Sequence, residues 1–191
     1  MVCILLMYNT NNMKFCIEIF LCVFLKINAV HSTWMLDVEP DIKPCMPDNQ
    51  FNLIDVSNFK LIDKSDGKKV YVNGTLKFLQ EASGIISINF TTEHLKNGIW
   101  MPGDFHYYRA DACAYINDPM GQPLIYMIVQ KAMKQKRCPF KSGHTETFDM
   151  YSLTDTPFMI PPQYIGEWRA YSRLYKNDKL IECFKVQFEV V

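Results

Sequence analysis

The first clear pattern along the chain is an alternation of apolar and polar residues with a period of two. It runs through residues 70–78 and again through residues 86–91. Because successive side chains of a β-strand point to opposite faces, the alternation predicts two strands that each bury one face. The apolar faces consist of Val70, Val72, Leu76 and Phe78 in the first strand, and of Ile86, Ile88 and Phe90 in the second.

Four further segments predict strands by the same alternation and by their β-branched and aromatic residues. They are Asn52–Ile62, His144–Tyr151, Gly166–Tyr175 and Leu180–Val190. The last two flank Lys176-Asn177-Asp178-Lys179, which is typical of a hairpin turn. In the final strand the residues predicted to face inward are Phe184, Val186, Phe188 and Val190.

One segment has a helical period instead. Its apolar residues recur every three or four positions, which predicts an amphipathic helix near residues 120–136. They are Leu124, Ile125, Ile128, Val129, Ala132 and Met133. Basic residues at the end of this segment suit the helix dipole, and the alternative is an anion site. Many strands and one helix, without a linker or a repeat, predict a single mostly-β domain: an antiparallel sandwich or cup.

The N-terminus differs from the rest of the chain. Residues 1–32 combine Lys14, an apolar stretch over 15–25 and small residues before Thr33, which is typical of a cleaved signal peptide. Met13 is an alternative start, which would make residues 1–12 an upstream extension. The competing interpretation is a membrane anchor, but the apolar run is shorter than the roughly 20 residues of a span and contains Glu18. We therefore expect a secreted domain over residues 33–191.

Composition narrows the classes of function. The chain is 49% hydrophobic, which excludes a disordered protein, and its 20 basic and 20 acidic residues argue against a polybasic nucleic-acid binder. Signal cleavage removes three of the seven cysteines, and the remaining four are expected to form disulfides outside the cell. Asn73 and Asn89 each begin a glycosylation sequon on the polar face of a predicted strand.

The sequence contains no recognisable catalytic or metal-binding motif. Asp104 and His106 are two residues apart and could form an acid–base pair, but ordinary surface polarity accounts for them. We therefore expect a non-enzyme without a cofactor or a metal. A different feature stands out: residues 156–165 are apolar, rich in proline and lie between two predicted strands. Such a loop either packs on the core as a lid or is exposed and functional.

Several short motifs in the C-terminal half occur in an order that is also found in a known protein family. The motifs are Cys138-Pro139-Phe140-Lys141-Ser142-Gly143, the proline-rich loop, Gly166-Glu167-Trp168-Arg169-Ala170-Tyr171, and Leu180-Ile181-Glu182-Cys183-Phe184-Lys185. In this order they resemble ganglioside GM2 activator-like proteins and, more distantly, MD-2-related lipid-recognition proteins. Residues 98–102 and 111–113 resemble the insect chemosensory CheA/CheB-type branch of that group.

The resemblance implies a secreted β-cup that encloses an apolar cavity and binds or transfers a lipid without covalent chemistry. It places residues 156–165 where the activator has a membrane-engaging loop. The residues implied to contact the ligand are Phe158, Met159, Ile160 and Tyr164 in the loop. Five further residues are candidates for the cavity walls, with ordinary core packing as the alternative for each: Trp100, Phe105, Tyr126, Phe140 and Trp168. It also implies the disulfides Cys45–Cys183 and Cys113–Cys138.

Three functions follow as hypotheses. The first is a secreted, glycosylated protein that binds a lipid or a pheromone-like hydrophobic molecule, in chemosensation if the insect resemblance applies. The second is an interaction module whose apolar loop docks a receptor or a channel. The third is an accessory factor for a glycolipid hydrolase. A membrane surface is an expected partner of the loop, and nucleic acid is not.

Overall fold

Both alternating segments of the sequence form long strands, and each strand lies in a different antiparallel sheet. The computed structural model describes residues 36–63, 69–118, 129–153 and 161–191. The segment 1–32, which the sequence predicts to be a signal peptide, lies outside these residues. The domain is mostly β, as predicted.

The elements follow the chain in a simple order. The strands are β1 (Leu36–Val38), β2 (Lys43–Pro44), β3 (Ile54–Asp55), β4 (Phe59–Asp63), β5 (Val70–Phe78), β6 (Ser87–Lys96), β7 (Ile99–Arg109), β8 (Thr145–Ser152), β9 (Gly166–Lys176) and β10 (Lys179–Val190). A short helix, α1 (Ala112–Asn117), follows β7, and a 3₁₀ turn (Pro162–Tyr164) precedes β9.

The larger sheet has the strand order β1-β10-β9-β6-β7, with β2 pairing to β10. The smaller sheet is centred on β5, which pairs with β3, β4 and β8. The predicted hairpin joins β9 to β10. Its two turn residues, Asn177 and Asp178, have φ values of 50° and 60°, which is the left-handed conformation that a two-residue type I′ turn requires.

The predicted strand over residues 52–62 is wrong in one respect, because the structure divides it into β3 and β4. A turn at Ser57 and Asn58 separates them, and the Asp55 carboxylate stabilises this turn by accepting the Ser57 N–H at 2.9 Å. An aspartate that bonds the backbone two residues ahead favours a turn over a continuous strand. The two short strands then pair with opposite ends of β5.

The hydrophobic core lies between the two sheets and uses the faces that the alternation predicts. Residues from both sheets meet in it: Val72, Phe78 and Phe148 from the smaller sheet, and Ile86, Ile88, Leu174 and Phe184 from the larger sheet and the segment that leads into it. Of the predicted helix, residues 119–128 lie outside the described chain. Residues 129–132 are helical, and Val129 and Met133 are buried in the core, as the helical period predicts. Helix α1 was not predicted.

Two disulfides join Cys45 to Cys183 and Cys113 to Cys138, which are the pairs that the resemblance implies. A fully buried glutamate lies near each disulfide and accepts hydrogen bonds from the backbone of another chain segment. One carboxylate oxygen of Glu182 accepts the N–H groups of residues 52–54 at 2.8–3.1 Å. A buried carboxylate is stable only when such donors replace water.

The second buried glutamate, Glu146, fixes the segment that leads to Cys138. Its oxygens accept the N–H groups of Lys134 at 2.6 Å and Gln135 at 2.8 Å, and His144 Nε2 lies 2.6 Å away. Burial opposes ionisation of this carboxyl, but the two backbone donors and His144 outweigh that effect. The pKa of Glu146 is therefore below its ordinary value.

This lowered pKa predicts acid-sensitive stability. Since the folded state holds the Glu146 proton less tightly than the unfolded state, its contribution is complete above the ordinary pKa, about 4.3, and is lost as pH falls through the folded value. In Glu146→Gln, an amide N–H₂ would face a backbone donor, which we expect to cost about 1–3 kcal/mol at pH 7.

Urea unfolding of both proteins between pH 7 and pH 3 measures this effect. We expect the stability difference between Glu146→Gln and the wild type to shrink as the pH falls below about 4.3, because the unfolded wild-type chain then takes up a proton more readily than the folded carboxylate does. Exposed Glu167→Gln serves as the control, with little change at either pH. A difference that stays constant across this range would contradict the assignment.

Candidate functional site

Five rings pack together at one end of the larger sheet, and we call them the aromatic cluster. Trp168 lies at its centre and is only 1% exposed. Its indole stacks on His94, with ring centres 4.0 Å apart, and on Phe188 at 6.4 Å. The rings of Phe105 and Tyr164 approach it at 5.8 and 5.9 Å and lie 4.8 Å from each other.

Strand register explains why three of these rings form a row. Trp168 on β9 is directly opposite Phe188 on β10 and opposite His94 on β6. Directly opposed residues of antiparallel strands point to the same face. This face also carries Ile88 and Leu174, which belong to the core. The aromatic cluster therefore lies on the inner face of the larger sheet.

Two polar ring atoms of the cluster find partners in the segment 161–165, which is the described end of the proline-rich loop. The Trp168 Nε1–H donates to the Tyr164 carbonyl oxygen at 2.7 Å, and His94 Nε2 lies 3.1 Å from the Ile165 carbonyl oxygen. Buried indole and imidazole nitrogens need such partners. These two contacts fix the end of the loop against the sheet.

Close packing of β7 against Trp168 depends on Gly103. A Cβ at this position would lie 2.7 Å from Trp168 Cζ3, which is closer than carbon atoms can approach. Beside it, the Thr92 hydroxyl donates to the Phe105 carbonyl oxygen at 3.0 Å, where the pairing of β6 with β7 is irregular. This arrangement brings the Phe105 ring to the cluster.

Four large apolar side chains at the cluster remain in contact with solvent, and we call them the apolar rim. They are Ile99, Met101, Phe105 and Ile165, with exposed fractions of 66%, 49%, 45% and 42%. The first three share the inner face of β7, and β7 is the outer strand of its sheet within the described chain. An apolar edge that is not covered favours binding of an apolar partner.

Short side chains occupy the middle of the inner face on β9. Ala170 and Ser172 follow Trp168 on this face of the strand. Ser172 is flanked on both sides by a phenylalanine, because Phe90 on β6 and Phe184 on β10 are both directly opposite it. The middle of the inner face therefore combines short side chains with aromatic rings.

The structure brings three of the predicted ligand residues together. Phe105, Tyr164 and Trp168 all belong to the aromatic cluster, whereas Phe140 stacks on Phe78 at 4.6 Å within the core. Phe158, Met159, Ile160 and Tyr126 lie outside the described residues.

Trp100 is placed differently from its predicted position in the cavity wall. It pairs with Leu95 on the outer face of the sheet, and the Arg169 guanidinium lies 3.7 Å from its ring centre. Successive residues of a strand point to opposite faces, so Trp100 and Phe105 cannot share one. The indole forms a cation–π contact on the outer surface and does not line the space between the sheets.

The outer face of the larger sheet is polar and aromatic. Tyr171 donates its hydroxyl hydrogen to Glu93 at 2.9 Å, and burial, together with this carboxylate, raises the pKa of Tyr171. Asn89 lies on this face beside Tyr108 and Arg173. The other sequon asparagine, Asn73, is on β5 and accepts the Met150 N–H at 3.3 Å.

Sequence reasoning did not assign five residues of the cluster and the rim to the site: His94, Ile99, Met101, Ile165 and Phe188. A signal for His94 was present, because it continues the even-numbered series of Ile86 and Ile88 along one strand. Strand β7 itself was not predicted, since Pro102 and Gly103 interrupt its pattern. Proline is tolerated there because β7 is an edge strand.

The chemistry of the site is that of an apolar surface. Asp104 and His106 are exposed, and no hydrogen bond or ion pair links them in the described chain. The described residues also contain no group of three His, Cys, Asp or Glu side chains that could hold a metal. What the site offers a ligand is apolar contact area, with Trp168 Nε1 and His94 Nε2 already paired with carbonyl groups.

The close contact at Gly103 predicts a specific loss on substitution. In Gly103→Ala the new methyl group must displace both the Thr92 hydroxyl and the Trp168 ring. We expect this to destabilise the fold by about 1–3 kcal/mol and to change the near-ultraviolet circular dichroism of the tryptophans. Gly98→Ala is the control, since its strain arises from a φ of +78° and no atom lies within 4 Å. Loss of stability with unchanged tryptophan dichroism would contradict the packing role.

Comparison with known proteins identifies no relative from which a function could be inferred. No protein-family model matches the chain, and no curated protein matches it. The observations that bear on function are therefore the aromatic cluster and the apolar rim beside it.

Proposed function

We propose that this chain is a secreted, non-catalytic protein that binds a lipid or another hydrophobic small molecule on the inner face of its larger sheet. The observation that carries the proposal is the apolar rim, where four large apolar side chains remain exposed beside a tightly packed aromatic cluster. Covering apolar surface gains roughly 25 cal/mol per Å². A ligand that lies along Ile99, Met101 and Phe105 would recover this free energy.

The character of the wall favours an acyl chain or a similar apolar molecule. Trp168 Nε1 and His94 Nε2 are engaged by loop carbonyl groups, so these two atoms are not available to a polar ligand. Lipid-binding sites need apolar walls with few polar groups that demand partners.

The proline-rich loop extends this proposal. Its described end, residues 161–165, supplies Tyr164 to the cluster and Ile165 to the rim. We propose that Phe158, Met159 and Ile160, which precede it in the chain, contact the ligand or a membrane surface. This role is the one implied by the resemblance to GM2 activator-like proteins, and the mostly-β fold of two sheets is consistent with it.

Secretion is supported by two kinds of observation. The disulfides Cys45–Cys183 and Cys113–Cys138 are compatible with an oxidising, extracellular location. Residues 1–32 have the sequence of a signal peptide, and we propose glycans at Asn73 and Asn89. In the part of the chain that the structure describes, no helix is long and apolar enough to cross a membrane.

A second candidate function is docking to a receptor or channel, and one observation favours it. Strand β7 is an outer strand in the described chain, so its backbone can accept a further strand while the rim provides side-chain contacts. In this case the partner would be a protein, and a pheromone-like ligand would be absent.

Ligand binding by variants of the rim tests the main proposal. In the double variant Met101→Ser, Phe105→Ser we expect at least tenfold weaker binding of a fluorescent fatty acid, which is about 1.4 kcal/mol. Both side chains are about half exposed, so the fold should tolerate their removal. The matched control is Tyr108→Ser, because Tyr108 is exposed on the same strand and points to the opposite face.

The measurement is a titration of delipidated protein with the fluorescent fatty acid, together with native mass spectrometry of the protein before delipidation. Weak binding in the rim variant and wild-type binding in Tyr108→Ser support the site. A wild-type protein that neither carries nor takes up a hydrophobic ligand would overturn the proposal and favour the docking function.

A further inference from the structure

A separate cavity of about 310 Å³ lies at the opposite end of the larger sheet from the aromatic cluster. It is bounded by the segments 46–53 and 80–86 and by the hairpin between β9 and β10. None of its lining residues belongs to the aromatic cluster or to the apolar rim. Its volume is at the lower end of the roughly 300–1,000 Å³ that ligand sites occupy.

The wall of this cavity is divided into an apolar part and a cationic part. Leu53, Ile86 and Ile181 are buried or half-buried aliphatic side chains that supply the apolar part. Lys176 and Lys179 supply the cationic part, and Glu81 is the one acidic residue of the lining. The ionised side chains of the cavity therefore sum to one positive charge.

The two lysines are directly opposite each other, as the first residue pair beyond the hairpin turn. Like charges at directly opposed positions of antiparallel strands destabilise the pairing. Among the described residues neither lysine forms an ion pair. An anion between the two ammonium groups would remove this repulsion.

The cavity wall is held in place before any ligand arrives. The Leu53 N–H donates to the buried Glu182 carboxylate at 2.8 Å, and Gln80 donates to the Asn52 carbonyl oxygen at 2.9 Å. The Cys45–Cys183 disulfide ties the start of the 46–53 segment to β10. A pre-formed site loses little conformational entropy on binding.

We propose that this cavity binds a medium-chain amphiphilic anion, with the alkyl chain on Leu53, Ile86 and Ile181 and the carboxylate between Lys176 and Lys179. The modest volume favours a medium-chain carboxylate over a long-chain lipid. This site does not rest on the function proposed for the apolar rim, because the two share no residue.

Calorimetric titration with decanoate, and with 1-decanol as its uncharged counterpart, tests the proposal. We expect decanoate to bind the wild type at least tenfold more tightly than it binds Lys176→Gln, Lys179→Gln. Lys77→Gln, a change of an exposed lysine on β5, should leave decanoate affinity unaltered. The rim variant Met101→Ser, Phe105→Ser should also retain it, which separates this site from the rim.

A second variant controls for folding. Lys179→Glu places an acidic residue opposite Lys176, so we expect a melting temperature at or above the wild-type value together with loss of decanoate binding. Equal affinity of decanoate for the wild type and the double lysine variant would overturn the proposal. So would 1-decanol binding as tightly as decanoate, or decanoate binding that disappears in the rim variant.

Discussion

The hydrogen bond from the Trp168 indole to the Tyr164 carbonyl oxygen links the fold to the candidate site. The indole is almost fully buried between His94 and Phe188, and its N–H has no access to water. A buried donor without a partner costs about 1–3 kcal/mol, so the chain that precedes β9 must pass over the ring. That path brings Tyr164 to Phe105 and leaves Ile165 at the surface. The position of the apolar rim follows from this constraint.

Much of the sheet architecture could be predicted from the sequence, because period-two alternation depends only on strand geometry. The inner faces of β5 and β10 and the hairpin at Asn177 and Asp178 have the positions that the pattern predicts. The pattern failed where local chemistry overrides it. The Asp55 side chain creates a turn inside one predicted strand. In β7, Pro102 and Gly103 interrupt the alternation, so this strand was not predicted. A predicted strand there would have assigned Trp100 and Phe105 to opposite faces of the sheet.

The buried glutamates could not have been predicted, for a physical reason. Glu146 and Glu182 both lie on inner faces, at positions opposite Leu76 and Leu174, where alternation calls for apolar residues. Their carboxylates are tolerated only because distant backbone N–H groups donate to them. Donors from a segment 129 residues away are not visible in any local pattern. Each of these contacts accompanies a disulfide, so the carboxylate and the covalent bond act on neighbouring parts of the chain.

The two ends of the larger sheet therefore differ in how firmly their surroundings are held. At the hairpin end, a disulfide and the hydrogen bonds of Glu182 fix the wall of the second cavity. At the aromatic end, the contacts that hold the segment 161–165 are the ring packing of Tyr164 and two hydrogen bonds from ring nitrogens to carbonyl groups. Lifting this segment would cost those two bonds and leave the described core and both disulfides intact. Since local opening requires only the contacts of the moving segment to be lost, we expect opening at the aromatic end to cost less free energy than opening at the hairpin end.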